Sequence, residues 1–192
     1  MTHTNSMLKK ALALSMTLIL TFSLFACSKI DNEEPSETKP VSTTEETKPK
    51  SQYTLYIGSD STGYKEYDSK ITGELSPEKL IEAIADLTGW NLELSEEVST
   101  GKGGMTVVFS KNSFVVVGPP EEQKDEFHVH DNFSLMTTVL DSIKKTLQMN
   151  YVMEPGDPNS LDIYFNLENE PIQVEDITIP LDKPWDSKML SK

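Results

Sequence analysis

Hydrophobic residues follow three different rhythms along this chain. Near the start, Ala11 to Phe25 is an almost unbroken apolar run behind a basic pair, Lys9 and Lys10, and it stops at Leu24-Phe25-Ala26-Cys27. The run is short of the about 20 apolar residues that a membrane-crossing helix needs. A basic head, an apolar middle and a small residue before a cut describe a secretory leader. Met1 and Met7 are both candidate starts, and Met7-Leu8-Lys9-Lys10 makes the more usual leader head. From Ser28 to about Lys50 the rhythm disappears. Glu, Thr, Ser, Lys and Pro dominate, with Ile30 and Val41 the only aliphatics. Such a stretch cannot bury enough apolar surface to offset its ordering entropy, so it reads as a disordered tether. As a flexible coil it spans roughly 25 Å.

From Gln52 onward, short runs and helical stripes alternate. Tyr53-Thr54-Leu55-Tyr56-Ile57 has strand composition, Gly58 to Gly63 is turn-rich, and Tyr64 to Ile71 predicts a paired strand. Ser76 is a good N-cap, Pro77 suits the first helical position, and Glu78 complements the positive end of the helix dipole. Leu80, Ile81, Ile84 and Leu87 follow at helical spacing, and Gly89 is placed to end that helix in the left-handed region. Trp90 is expected over the helix end. Asn91 to Leu94 predicts a short strand. Met105–Ser110 and Ser113–Val117 predict a hairpin across Lys111-Asn112, at the sheet centre because both runs are nearly all apolar. Met136, Val139, Leu140, Ile143 and Leu147 form a helical stripe within a second helix from about Phe133 to Met149, with Asn150 as its cap. Leu161–Phe165, Ile172–Val174 and Ile177–Ile179 are further strand candidates, and Pro180, Pro184 and Trp185 mark an extended exit.

This order predicts an α+β two-layer sandwich, two amphipathic helices on one face of a mostly antiparallel sheet. The expected organisation is a leader over 1–26, an anchor and acidic tether over 27–50, a domain over 51–186 and a disordered tail over 187–192.

Charge narrows the set of partners. The 192 residues carry a formal net charge of −14, with no Arg at all. Loss of Lys9 and Lys10 with the leader would bring the mature chain to −16. A chain this acidic is repelled by phosphate backbones, so nucleic acid is not an expected partner. The charge suits a solvated extracellular protein. The single Cys excludes a disulfide framework and a cysteine-based structural zinc site.

Candidate chemistry is sparse. Thr100-Gly101-Lys102-Gly103-Gly104 lacks the spacing of a phosphate-binding loop and precedes a strand. In Phe127-His128-Val129-His130-Asp131, the two His at i and i+2 fall on one face of an extended segment. With Asp131 they could supply part of a metal site, which carboxylates would have to complete, since no other His follows the leader. The alternative is a loop entering a helix, with Asp131 or Asn132 as N-cap. Metal is therefore not assigned, and His128, His130 and Asp131 stand as candidates. Asp141 and Asp162 are candidates for a glycosidase-type pair. With 31 acidic residues, close pairs arise by chance, and Asp141, one position off the apolar stripe, reads as a helix-flank carboxylate. No Gly-x-Ser-x-Gly elbow occurs. No catalytic residue or cofactor is assigned, and a non-catalytic module is favoured. The competing reading is an envelope hydrolase or metal-dependent enzyme using carboxylates with His128 and His130, which requires those groups in a concave pocket.

Two resemblances add to this. Leu24-Phe25-Ala26-Cys27 resembles a bacterial lipobox, which implies a lipidated Cys27 (diacylglyceryl and palmitate) as the first mature residue. Two acyl chains anchor a protein stably, on the extracytoplasmic face of the cell membrane. From Ser51 to about Trp185 the chain resembles the GerMN domain of spore-forming bacteria. The likeness rests on five features: the Tyr53–Ile57 strand; Ser76-Pro77-Glu78-Lys79-Leu80-Ile81 with its Thr88-Gly89-Trp90 exit; Val107-Val108-Phe109-Ser110; Leu140-Asp141-Ser142-Ile143 with Thr146-Leu147; and Ile163-Tyr164-Phe165. An extended Met153-to-Ser160 loop replaces the tighter turn of that pattern. The resemblance implies a small α+β domain related to ring-building modules of sporulation machinery. It implies a part in envelope processes such as engulfment or germination, through self-association, a protein partner or peptidoglycan, and it brings no catalytic residues. An interaction module of this kind should expose apolar or aromatic residues on the sheet or an edge strand.

Overall fold

The computed structural model describes residues 51–190 apart from Lys102 and Glu122. The leader, Cys27 and the tether lie outside the described residues. Among the described residues, no helix is long and apolar enough to cross a membrane.

The chain has mixed α and β structure, with three helices and three small sheets among the described residues. It opens with an antiparallel hairpin of β1 (Ser51–Ser59) and β2 (Gly63–Ile71), in which Leu55 faces Tyr67 and Ile57 faces Lys65. The tip depends on Gly58, whose φ is 143° and whose missing Cβ would collide with the Gly63 carbonyl. α1 (Pro77–Thr88) starts and stops as its sequence predicts. Ser76 accepts from the Lys79 N–H, Pro77 opens the helix, and Gly89 closes it at φ 83°. Its Leu80, Ile81 and Ile84 are buried, and Trp90 packs beyond its end.

The second sheet runs β3 (Ser99–Gly101), β4 (Gly104–Phe109), β5 (Asp162–Leu167). β3 is antiparallel to β4 and β5 is parallel to it. Residues 93–95 extend the β3 side, since the Ser95 N–H donates to the Val108 carbonyl at 2.9 Å and the Ser110 N–H to the Glu93 carbonyl at 3.0 Å. Both flanks of β4 are thus occupied, and this corrects the predicted 105–110/113–117 hairpin. Ser113 turns back onto Ser110, and Phe114–Val117 forms the short helix α2. Phe114 and Val115 enter the core, whereas Val116 and Val117 are 54% and 60% exposed. A four-residue apolar run carries no period that separates a strand from a helical turn, and here the occupied sheet decided.

α3 (Asn132–Tyr151) is the longest element. It passes through Asn150 rather than being capped there. β6 (Ile172–Val174) and β7 (Ile177–Ile179) form a last antiparallel hairpin. The exit turns at residues 181–182 and ends in a 3-10 turn at Ser187–Leu190, where a disordered tail was expected. Between them the Trp185 N–H bonds the Ile163 carbonyl at 2.7 Å on the side of β5 away from β4. One core unites these parts, including Leu55, Ile84, Val107, Leu140, Phe165, Ile179 and Trp185.

α3 also closes one side of the first hairpin with side chains. Ser142, Thr146 and Asn150 recur every four residues and so share one helix face. The Gly58 N–H donates to Ser142 Oγ and the Tyr56 N–H to Thr146 Oγ1, each at 3.0 Å, and Asn150 Nδ2 donates to the Thr54 carbonyl at 2.8 Å. One step earlier the Asp60 N–H donates to Asp141 Oδ2 at 3.1 Å. Ser142 and Thr146 are fully buried polar residues because each satisfies a strand group that would otherwise be orphaned.

Candidate functional site

Below the tip of the first hairpin lies a cleft of about 340 Å³, bordered by Tyr64, Lys65, Tyr67, Trp90, Phe127 and His128 among others. Three elements build it. β2 contributes Tyr64, Lys65 and Tyr67. The end of α1 delivers Trp90, because the left-handed Gly89 turns the chain sharply inward. A single 3-10 turn over Asp125–Phe127 presents Phe127, whose ring meets Tyr67 edge-on at 5.4 Å and Trp90 edge-on at 6.4 Å. Trp90 Nε1 donates to the Phe127 carbonyl at 3.3 Å, which ties the turn to α1.

Polar groups fix the rim. The Tyr67 hydroxyl donates to Glu126 Oε1 at 2.6 Å, and Lys65 Nζ lies 3.6 Å from the same oxygen. The Tyr67 bond holds Glu126 below the usual carboxylate range. Desolvation, with Glu126 adding to it, pushes the Tyr67 phenol up to about 12. The Tyr64 hydroxyl donates to Asp60 Oδ1 at 2.8 Å, while Lys145 Nζ lies 5.9 Å from its ring centroid. Both tyrosines stay protonated hydrogen-bond donors near neutral pH. Trp90 and Phe127 are buried beneath this rim, so the half-buried tyrosines with their fixed hydroxyls are the part of the cleft suited to recognition.

The candidate metal residues fall at this cleft's margin and divide in role. The His128 and His130 rings lie 4.4 Å apart, on one face as their spacing predicts, and both are exposed. His128 borders the cleft. Asp131 is the N-cap of α3, accepting from the Ser134 N–H at 2.8 Å, and that bond lowers its pKa. Among the described residues, no group of three or more His, Cys, Asp or Glu is placed to hold a metal ion.

Asp141 departs from the helix-flank expectation. It is fully buried, with Trp185 Nε1 donating to its Oδ1 at 2.6 Å and the Asp60 N–H to its Oδ2. Burial raises its pKa, although both donors act in the opposite direction. The carboxylate joins α3, the first hairpin and the C-terminal exit. Asp162, the other half of the suggested pair, is exposed and borders a polar cleft of about 650 Å³ with Asp60, Lys144 and Trp185. One carboxylate is sealed in and the other faces solvent, so they do not form a facing pair across a substrate.

Sequence reasoning missed both the aromatic cleft and the polar ladder of α3. The ladder did leave a signal, in that Asp141, Ser142, Thr146 and Asn150 run beside the apolar stripe at helical spacing. The cleft left none, because its walls come from separate segments. The chain matches no protein-family model, no curated protein and no solved structure.

Proposed function

We propose that this protein is an extracytoplasmic lipoprotein, anchored through Cys27, whose folded part is a GerMN-like, non-catalytic interaction module of the cell envelope. The observation that carries the reading is the cleft under the first hairpin, where the half-buried Tyr64 and Tyr67, with hydrogen-bonded hydroxyls, stand over the buried rings of Trp90 and Phe127. The reading extends to architecture, with α1 and α3 as one layer over the strands in a two-layer α+β sandwich. It extends to setting, in envelope assembly or cell-wall binding during processes such as sporulation or germination, and a tether over residues 28–50 would keep the domain near the membrane.

The test is sedimentation velocity on the mature chain, residues 27–192 with Cys27→Ser, over a wide concentration range, with and without soluble peptidoglycan fragments. Association, or a shift with the fragments that Tyr64→Ala and His128→Ala reduce, is the expected result. A monomer indifferent to concentration and to fragments would remove self-association and wall binding, leaving a protein partner as the remaining form of the reading.

A further inference from the structure

The two edges of the first hairpin are treated differently. The N–H groups of Tyr56 and Gly58 point at α3. Backbone direction alternates along a strand. Tyr53, Leu55 and Ile57 therefore bond toward β2, where their partners are Ser69, Tyr67 and Lys65. The backbone groups of Tyr64, Glu66, Asp68 and Lys70 consequently point away from β1. Among the described residues no backbone hydrogen bond reaches them. This leaves a long strand edge open, in a hairpin whose opposite edge is closed by four side chains. Unpaired edges are templates for pairing with another chain.

Charge and shape at this edge select the occupant. Glu66 and Asp68 are exposed, share the outer face of β2, and have no salt bridge among the described residues. A second copy of this chain fits badly. A twofold antiparallel β2–β2 pairing centred on residue 66 or 67 sets Glu66 against Glu66 or Glu66 against Asp68, and facing like charges destabilise a sheet. Centred on 68 it sets Asp68 against Asp68, and there and in the register centred on 69 Lys70 faces a carboxylate of the other copy. The net charge of −14 adds to that repulsion. On the other side of β2, Lys65 and Tyr67 border the aromatic cleft.

Resting on the interaction-module reading above, we infer that β2 is a strand-addition site for an extended, cationic segment of a partner protein. Lys or Arg at alternate positions of that segment lie over Glu66 and Asp68, and an apolar or aromatic residue between them turns toward the Tyr67–Phe127 cleft. Main-chain bonds along the edge supply affinity, and the alternating side chains supply selectivity.

The probe is a synthetic peptide, acetyl-Lys-Val-Lys-Phe-Lys-Val-Lys-amide, added to the Cys27→Ser mature chain. Controls are the same peptide with Glu for Lys, and one N-methylated at alternate residues so that it cannot pair. Amide exchange is read by NMR. The expected result is that exchange of the Glu66, Asp68 and Lys70 amides slows by at least about tenfold with the Lys peptide only. The effect should weaken as salt screens the carboxylates. Asp68→Pro removes one outward N–H and Asp68→Asn one charge, and both should weaken binding while the Lys65 and Tyr67 amides stay protected. Absence of binding overturns the inference, as does binding whose protection maps elsewhere or survives N-methylation. Dimerisation through β2 would replace the partner segment with a second copy. If the Lys peptide leaves the edge amides unprotected while peptidoglycan fragments shift the cleft resonances, strand addition fails and the interaction-module reading stands.

Discussion

The two long edges of the β1–β2 hairpin teach more when compared than either does alone. On the β1 side, Asp141, Ser142, Thr146 and Asn150 meet the backbone of Asp60, Gly58, Tyr56 and Thr54. Helix side chains there do the work of a neighbouring strand, along an edge that is partly buried. On the β2 side, alternate backbone groups face outward among Glu66, Asp68 and Lys70, which are exposed. A buried strand edge must be satisfied from within the chain, because an orphaned polar group costs about 1–3 kcal/mol. An open edge is satisfied by solvent until something replaces it. The β1 edge is therefore a matter of stability and the β2 edge a matter of binding.

Asp141→Ala gives the largest expected separation of the two. It strands the Trp185 indole N–H and the Asp60 amide, each at a cost of about 1–3 kcal/mol, so a loss of about 2–6 kcal/mol is expected in urea unfolding. A loss below about 1 kcal/mol would show that the node is not structural. Tyr67→Pro and Asp68→Pro, adjacent on β2, come next. Proline at 67 removes a donor bonded to β1 and should unfold the hairpin, by about 3 kcal/mol or more. Proline at 68 removes an outward donor and should be tolerated, as prolines are on edges facing solvent. Equal losses would sink the assignment of inward and outward positions. Thr146→Val keeps shape but strands the Tyr56 amide, for an expected cost of about 1–3 kcal/mol.

The pH dependence of the same node has a defined sign. Burial raises the Asp141 pKa above its unfolded value. The folded state then binds more protons, so this group's stabilising contribution is full below the unfolded value, near 4, and is lost as pH rises through the raised folded value. Asp141→Asn should remove that slope, so melting temperatures of the protein and the variant should diverge between pH 4 and pH 7. Parallel profiles would show that Asp141 does not titrate abnormally. The smallest expected effect is at Tyr151, whose hydroxyl is buried with no hydrogen-bond partner among the described residues. Tyr151→Phe should change stability by no more than about 0.5 kcal/mol, or raise it slightly, in the same unfolding experiment.

Much of the fold was legible where the controlling forces are local. Ser76, Pro77 and Gly89 bounded α1 because capping acts within one turn. The stripe Met136, Val139, Leu140, Ile143 and Leu147 revealed the buried face of α3 because helical periodicity is a property of the chain itself. The i, i+2 spacing put His128 and His130 on one face for the same reason. The site was scarcely legible. Tyr67, Trp90 and Phe127 meet only after β2, the end of α1 and the 125–127 turn are packed together.

The sequence by itself determined the elements, their caps, the apolar faces and the acidic charge, since each depends on residues a few positions apart. Only the tertiary structure decided that Phe114–Val117 is a helical turn, because β5 and residues 93–95 had taken both flanks of β4. Only it decided that Asp141 is buried, because Trp185 arrives from 44 residues away to cover it. It likewise decided which edge of the first hairpin is closed, because that requires α3 to lie along β1, more than 80 residues distant in sequence. Local preferences set what each segment can be, and competition for partners across the chain sets what it becomes.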